Sequence, residues 1–270
     1  MLFLSQFCTE VNADMKLYAV KTRLLETGAN LVEVILEALK EQNLKLEDND
    51  VLALTSKIVS YAENRLAKLS EIKPSDKARE LAERFSLQPE FAELILNEAD
   101  KIYGGVEKAV LTLKNGILTA NAGIDNKNAP VGYVVLWPKN AQETVRTIRE
   151  EIKRKTGIHV AVIVVDSGLV PLRKGTTGLA LAVAGFKPVK DDIGRKDLYG
   201  KPVVITQQAV ADDLASAAHL LMNEVAETTP IVLIKDAPME FDDDAYGSTA
   251  MMMSFNECIF MGTFLPTSSE

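Results

Sequence analysis

The run Val160-Ala-Val-Ile-Val-Val-Asp166-Ser167-Gly168 sets a carboxylate and a hydroxyl at the end of a β-branched segment. Short, rich in Val and Ile, and bounded by turn residues, it predicts a buried strand. A carboxylate at the tip of such a strand is held rigidly and still reaches the surface. Two chemistries suit it: oxygen coordination of a hard divalent cation such as Mg²⁺ or Mn²⁺, or capping of the following turn. Asn121-Ala-Gly-Ile-Asp125-Asn-Lys-Asn128 poses the same choice. Asp125 with its neighbouring amides suits a cation and a sugar or base edge, and equally an Asx turn closed on itself. Lys174-Gly-Thr-Thr-Gly178 carries a cation, two hydroxyls and two glycines, the ingredients of a phosphate cradle and also of a plain turn. The chain has no P-loop or dinucleotide fingerprint.

The elements that must position these groups are legible in outline. Met15 to Val20, Asp50 to Thr55 and Pro230 to Ile234 read as strands. Asn30 to Gln42 has helical periodicity through Leu31, Val34, Ile35 and Leu39. Pro74-Ser75-Asp76 and Pro89 each open a helix. Lys114-Asn115-Gly116 between alternating apolar residues predicts a hairpin joining Ala109–Leu113 to Ile117–Ala120. Gln142 to Lys155 is amphipathic, with Glu-to-Arg/Lys pairs at helical spacing. In Leu179-Ala-Leu-Ala-Val-Ala184 large residues alternate with alanines, which predicts a strand with one closely packed face. Gln208 to Asn223 is an Ala-rich helix. Hairpins mixed with helices predict an α+β chain with mixed and antiparallel sheets. Residues 1–14 read as an extension, 15–236 as the main domain with room for two subdomains, and 237–270 as a separate tail. In that tail Asp242-Asp243-Asp244 reads as a solvated turn, and Met251-Met-Met253 as apolar packing.

Bulk properties narrow the function classes. The chain has 270 residues, enough for one large core or two modest ones. Its 30 basic and 38 acidic residues leave a net charge of −8, which argues against a general nucleic-acid or anionic-membrane surface. No apolar run approaches a membrane span. Cys8 and Cys258 form neither a metal-ligand spacing nor a disulfide framework, so a reducing cytoplasm is the expected compartment. His159 and His219 sit in apolar contexts and read as structural, against a zinc site or a Ser-His-Asp triad.

The ordered set of motifs resembles the γ-glutamyl ligases of coenzyme F420 biosynthesis. It comprises Thr55-Ser-Lys-Ile-Val-Ser60 with Ala62-Glu63, Pro74-Ser75 before a helix, Asn121-Ala-Gly-Ile-Asp125 and Val165-Asp166-Ser167. Gly194-Arg-Lys-Asp-Leu-Tyr-Gly200, Val210-Ala-Asp212 and Leu221-Met222 complete it, over roughly residues 16–235. The resemblance implies an intertwined α+β homodimer with its site near the subunit interface. It implies a GTP-dependent amide ligase that adds L-glutamate to the lactyl-phospho deazaflavin precursor F420-0. Two divalent ions, Mg²⁺ or Mn²⁺, and a monovalent K⁺ are implied as well. Carried over, Asp125 and Asp166 hold the first metal, and Ser167 and Glu224 the second. Ser56, Lys57, Asn128, the segment from Met222 to about Thr229 and residues near Ala19 to Thr22 contact GTP.

The residue types fit that chemistry. A carboxylate accepts an amine only after one oxygen becomes a leaving group, and phosphorylation by GTP supplies one as an acyl phosphate. Phosphoryl transfer is mostly positioning and charge neutralisation. Metals would serve that end, with Lys57, Arg173 and Lys174 as further cations; Asp125, Asp166 and Arg173 form the expected catalytic set. Glu63 reads either as a general base or as a salt-bridge partner of a nearby Arg or Lys. Two departures from the family pattern bear on the acceptor and the nucleotide. The Gly-Arg-Pro-aromatic run expected after the Asp-Ser pair is replaced by Gly168-Leu169-Val170-Pro171-Leu172, and an expected basic position is Tyr61. A folate- or pterin-type acceptor, or a non-catalytic binding homologue, is the alternative those departures raise.

Overall fold

The computed structural model describes residues 14–223, 228–244 and 246–263. Strand β1 (Lys16–Val20) leads to helix α1 (Leu31–Glu41), whose N-cap Asn30 accepts from the Val32 and Glu33 amides. Strand β2 (Val51–Thr55) runs without a break into α2 (Ser56–Ala62). Next come β3 (Leu66–Lys68), α3 (Asp76–Phe85) capped by the Ser75 hydroxyl, and α4 (Pro89–Glu98) opened by its proline. The meander β4 (Lys101–Val106), β5 (Ala109–Lys114) and β6 (Ile117–Ala120) contains the expected Asn115-Gly116 hairpin. Then follow β7 (Tyr133–Val135), α5 (Ala141–Thr156), β8 (Ala161–Gly168) and β9 (Thr177–Ala184). An exposed arm holds the two-residue strands β10 (Lys190–Asp191) and β11 (Gln207–Gln208). The series ends with α6 (Val210–Met222), β12 (Ile231–Lys235) and the short α7 (Ile259–Gly262).

The central sheet has the order β1-β12-β2-β8-β9. Its β2–β8 pair is parallel and the other pairs are antiparallel, so the sheet is mixed, as the hairpin and helix signals predict. Both faces are covered. One buries Leu52, Leu54, Val162 and Val164 against α1, α2 and α5. The other buries Ala53, Ile163, Val165 and Ile234 against α6 and the start of the tail. Burial on both faces explains why β2, β8 and β12 read as continuous apolar runs and not as alternation. A smaller unit is built from the β4-β5-β6 sheet with α3 and α4, and β3 pairs with β7 beside it.

The strand expected to end at Asp166 continues to Gly168, because Asp166, Ser167 and Gly168 pair with Leu179, Gly178 and Thr177 of β9. A bulge between Val164 and Val165 shifts the register just before them. Because β2 ends opposite Val165, the Asp166 side chain emerges past the end of the neighbouring parallel strand. The Lys174–Gly178 segment behaves as a turn into β9, and its last glycine has a packing role. A Cβ on Gly178 would stand 2.2 Å from the Ala215 carbonyl oxygen of α6. Gly178→Ala is therefore expected to destabilise the protein by about 1–3 kcal/mol through overpacking, read as a lower urea midpoint.

Candidate functional site

A cavity of about 480 Å³ opens where β2 and β8 end. Ligands in open α/β sheets favour the carboxyl ends of parallel strands, where connections diverge. Thr55, Ser56, Lys57 and Tyr61 line it from the β2–α2 junction, and Val165, Asp166 and Ser167 from β8. Asn128 and Pro130 come from the loop before β7, and His219 and Met222 from α6. Thr22 to Leu25 and Thr228 to Pro230 close the rim. These last two segments are tied together by the Thr22 amide donating to the Thr228 carbonyl at 3.1 Å.

The two sequence-expected carboxylates meet around one lysine. Lys57 Nζ lies 2.7 Å from Asp125 Oδ2, and its charge also acts on Asp166. Asp125 closes the expected Asx turn, its Oδ1 accepting from the Lys127 amide at 2.8 Å, while its Oδ2 pairs with the Lys57 ammonium. Its backbone is pinned by a reciprocal pair of hydrogen bonds with Val135. Asp166 is half-buried. Desolvation pushes its carboxyl above the usual range, against the Ser167 amide, the Lys57 charge and the Trp137 and Ser56 side chains, which all favour the anion. Trp137 Nε1 donates to Asp166 Oδ2.

The donors are hard oxygens with a lysine between them, the chemistry that suits Mg²⁺ or Mn²⁺. Among the described residues no three His, Cys, Asp or Glu side chains form a metal cluster. Glu224, expected as a second-metal ligand, lies outside the described residues. Ser56, Lys57, Asn128, Ser167 and Met222 line the cavity. Arg173 and Lys174 are not among its lining residues; both stand exposed on the turn between β8 and β9. The same turn exposes Leu169, Val170 and Leu172, the residues in the place of an expected arginine and aromatic. Tyr61, in the place of an expected cation, donates its hydroxyl to the Asn128 carbonyl at 2.9 Å and so ties α2 to the loop beyond Asp125.

Two lining or supporting groups escape sequence reasoning. His219 was expected to be structural, yet its Nε2 is 3.3 Å from Ser167 Oγ at the cavity wall. Its position three residues before Met222, on the same helical face, is the signal that could have found it. Trp137 ends an apolar run and reads as core. A buried indole N–H needs an acceptor, and here the acceptor is Asp166.

Glu63 is a structural group of a different kind from either expectation. Its Oε2 accepts from the Lys139 amide at 2.6 Å, and its Oε1 from the Thr144 hydroxyl at 2.7 Å. It therefore caps the start of α5, where Asn140 makes no side-chain cap of its own. Glu63→Gln is expected to keep activity within about threefold, whereas loss of a general base costs about 10²–10⁴-fold. Steady-state rates of the purified variant decide between them.

The sequence model of the F420-0:gamma-glutamyl ligase family matches residues 19–236. A coenzyme F420:L-glutamate ligase from Methanopyrus kandleri is 38% identical over 221 residues, covering 82% of this chain and 86% of that protein. Ligases of the same name from Methanothermobacter thermautotrophicus and Archaeoglobus fulgidus are 37% and 35% identical. They cover 80% and 78% of this chain, and 86% and 83% of their own lengths. A mixed-sheet α+β fold with a carboxylate- and lysine-lined cleft, and these relatives, define the class: a ligase that forms amide bonds. Within it, the chain belongs to the F420-0:gamma-glutamyl ligase family.

Proposed function

We propose that this chain adds L-glutamate to the coenzyme F420 precursor F420-0, using GTP and divalent cations. The observation that carries the reading is the placing of Asp166 and Lys57 beside Ser56, Asn128 and Ser167 at the cavity where the parallel strands end, with Asp125 paired to the same lysine. Family membership supports the acceptor and the amino acid.

In this reading an acceptor carboxylate oxygen bonds to the γ-phosphorus of GTP, and GDP departs. The amine of glutamate then attacks the acyl carbon, phosphate leaves, and the amine loses a proton. Asp125, Asp166, Ser167 and Glu224 would hold Mg²⁺ or Mn²⁺, with K⁺ as a further ion. The bound cations would neutralise phosphate charge during transfer. Lys57 supplies a fixed positive charge between the two carboxylates and is placed to turn toward phosphate oxygens. Ser56 and Asn128 offer a hydroxyl and an amide to the nucleotide. Leu169, Val170 and Leu172, exposed on the turn after β8, stand in place of the expected arginine and aromatic, and this departure keeps a folate- or pterin-type acceptor as the second reading.

A homodimer follows from the same reading. The arm between β9 and α6 exposes Ile193, Leu198, Tyr199, Val204 and Ile205, more apolar surface than a solvated loop normally carries. Among the described residues no helix is long and apolar enough to cross a membrane. We place the enzyme in the cytoplasm, where GTP and glutamate are supplied.

The test is phosphate release from GTP with Mn²⁺ and L-glutamate, in the presence of F420-0, of a reduced folate, or of neither. Release that requires F420-0 supports the reading. Release that requires the folate transfers the activity to the second acceptor, and no release with either overturns the ligase mechanism for this chain.

A further inference from the structure

We propose that Trp137, the chain's single tryptophan, is a positioning residue that sets the spacing and orientation of the two carboxylates meant to hold the metal. This role rests on the metal reading of the same site. Three contacts carry it. The indole N–H donates to Asp166 Oδ2, fixing one oxygen of that carboxylate and leaving Oδ1 to face other partners. The indole ring also lies against the segment that carries Asp125. Gly123, at φ +73°, has no Cβ, and one built there would stand 2.2–2.3 Å from Cε2, Cδ2 and Nε1 of Trp137. Finally, the Trp137 backbone is clamped from outside the site: Arg65 Nε donates to the Trp137 carbonyl at 2.9 Å, and the Arg65 carbonyl accepts from the Leu136 amide at 2.9 Å.

One nearly buried ring thus touches both carboxylate-bearing segments and is braced against a third element. Groups that orient metal-binding carboxylates typically change metal affinity by about 10–100-fold when removed. Phe at this position keeps an aromatic ring near Gly123 and removes the N–H, together with part of the indole's volume. The melting temperature reports the lost packing, and the metal affinity reports the lost hydrogen bond.

Mn²⁺ binding to the purified protein is measured from the free-ion electron paramagnetic resonance signal for wild type, Trp137→Phe and Asp166→Asn. The expected result is that Trp137→Phe remains folded, by circular dichroism and a melting temperature within a few degrees of wild type, yet binds Mn²⁺ at least about tenfold more weakly. In turnover the same variant is expected to need more Mn²⁺ for half-maximal rate while kcat at saturating metal stays within about threefold, a split that general destabilisation does not produce. Should Trp137→Phe fail to fold, the wild-type indole emission carries the test. Mn²⁺ is expected to quench it, and Asp166→Asn to abolish the quenching. Equal Mn²⁺ affinity in a folded Trp137→Phe protein, or Mn²⁺ bound without any change in emission, overturns the role of Trp137 alone. Absence of Mn²⁺ binding by wild type, or binding indifferent to Asp166→Asn, overturns the metal reading and this role with it.

Discussion

Asp166→Asn is expected to lower the turnover rate by on the order of a thousandfold, the kinetic equivalent of about 4 kcal/mol, while leaving the metal-free protein as stable as wild type or more so. The activity loss follows if Asp166 holds a divalent cation, because an amide gives one neutral oxygen in place of a carboxylate. The stability gain follows from electrostatics in the folded protein. Burial is the largest influence on Asp166 and raises its carboxyl above the ordinary value despite the Ser167 amide, Lys57, Trp137 and Ser56. For an acid raised on folding, the protonated form is favoured in the native state. Stability is therefore lost as pH climbs from the unfolded value of 3.8 through the raised native one. At neutral pH the charged Asp166 costs stability that Asn does not, and the Asn side-chain oxygen still accepts from the Trp137 indole. Thermal melts without metal, beside steady-state rates with Mn²⁺, check both halves. A variant that melts well below wild type would show that the carboxylate is a structural ion-pair partner and not a functional site held at a cost.

Glu98→Gln is expected to have the largest effect on stability, about 3–5 kcal/mol. Glu98 Oε2 receives Lys114 and, at 2.7 Å, Arg65 Nη2. The three side chains are 18%, 7% and 21% exposed, so removing the one anion strands two cations in poorly hydrated surroundings. Desolvation works against the Glu98 charge, but the hydrogen bonds and charges of Lys114 and Arg65 outweigh it and hold the carboxyl below its usual 4.5. A depressed acid contributes stability that is present above the unfolded value and is lost as pH falls through the native one. Wild type is therefore expected to lose stability below about pH 4.5 by a component absent from Glu98→Gln, and the gap between the two urea midpoints should narrow as the solution is acidified. A constant gap would mean that Glu98 acts through packing alone. Because Arg65 also holds the Trp137 carbonyl, the variant links the small unit to the site.

The parts of this molecule legible in its sequence are those where local pattern and tertiary environment agree. β8 is β-branched because both of its faces are buried, and Asp166 breaks that pattern where the neighbouring strand ends. Asn30, Ser75, Pro89 and Asn115-Gly116 mark boundaries by local backbone chemistry, and the elements begin or turn there. β4 is not legible in the sequence because Gly104 and Gly105 interrupt it; a bulge lies between Ile102 and Gly104, and Gly105 packs against the Ala109 carbonyl. β3 and β7 are three residues each, too short to show a period. Within the site, Asp125 and Asp166 were readable as carboxylates at strand or loop ends. Trp137 and His219 were not, because each sits in an apolar run and acquires its polar partner only through the fold, 29 residues away for Trp137 and 52 for His219. Arg173 and Lys174 show the converse. Their charge suggests phosphate, while the turn that carries them holds them out in solvent.

The most direct test of the central claim is transfer of oxygen from acceptor to phosphate. F420-0 with its reacting carboxylate labelled with heavy oxygen is incubated with the protein, GTP, Mn²⁺ and L-glutamate, and the released phosphate is examined by mass spectrometry. Phosphorylation of the carboxylate leaves one of its oxygens on the departing phosphate, so the account predicts one heavy oxygen per phosphate, in step with formation of the glutamyl product. Unlabelled phosphate accompanying product, or labelled phosphate undiminished in Asp166→Asn, would contradict it.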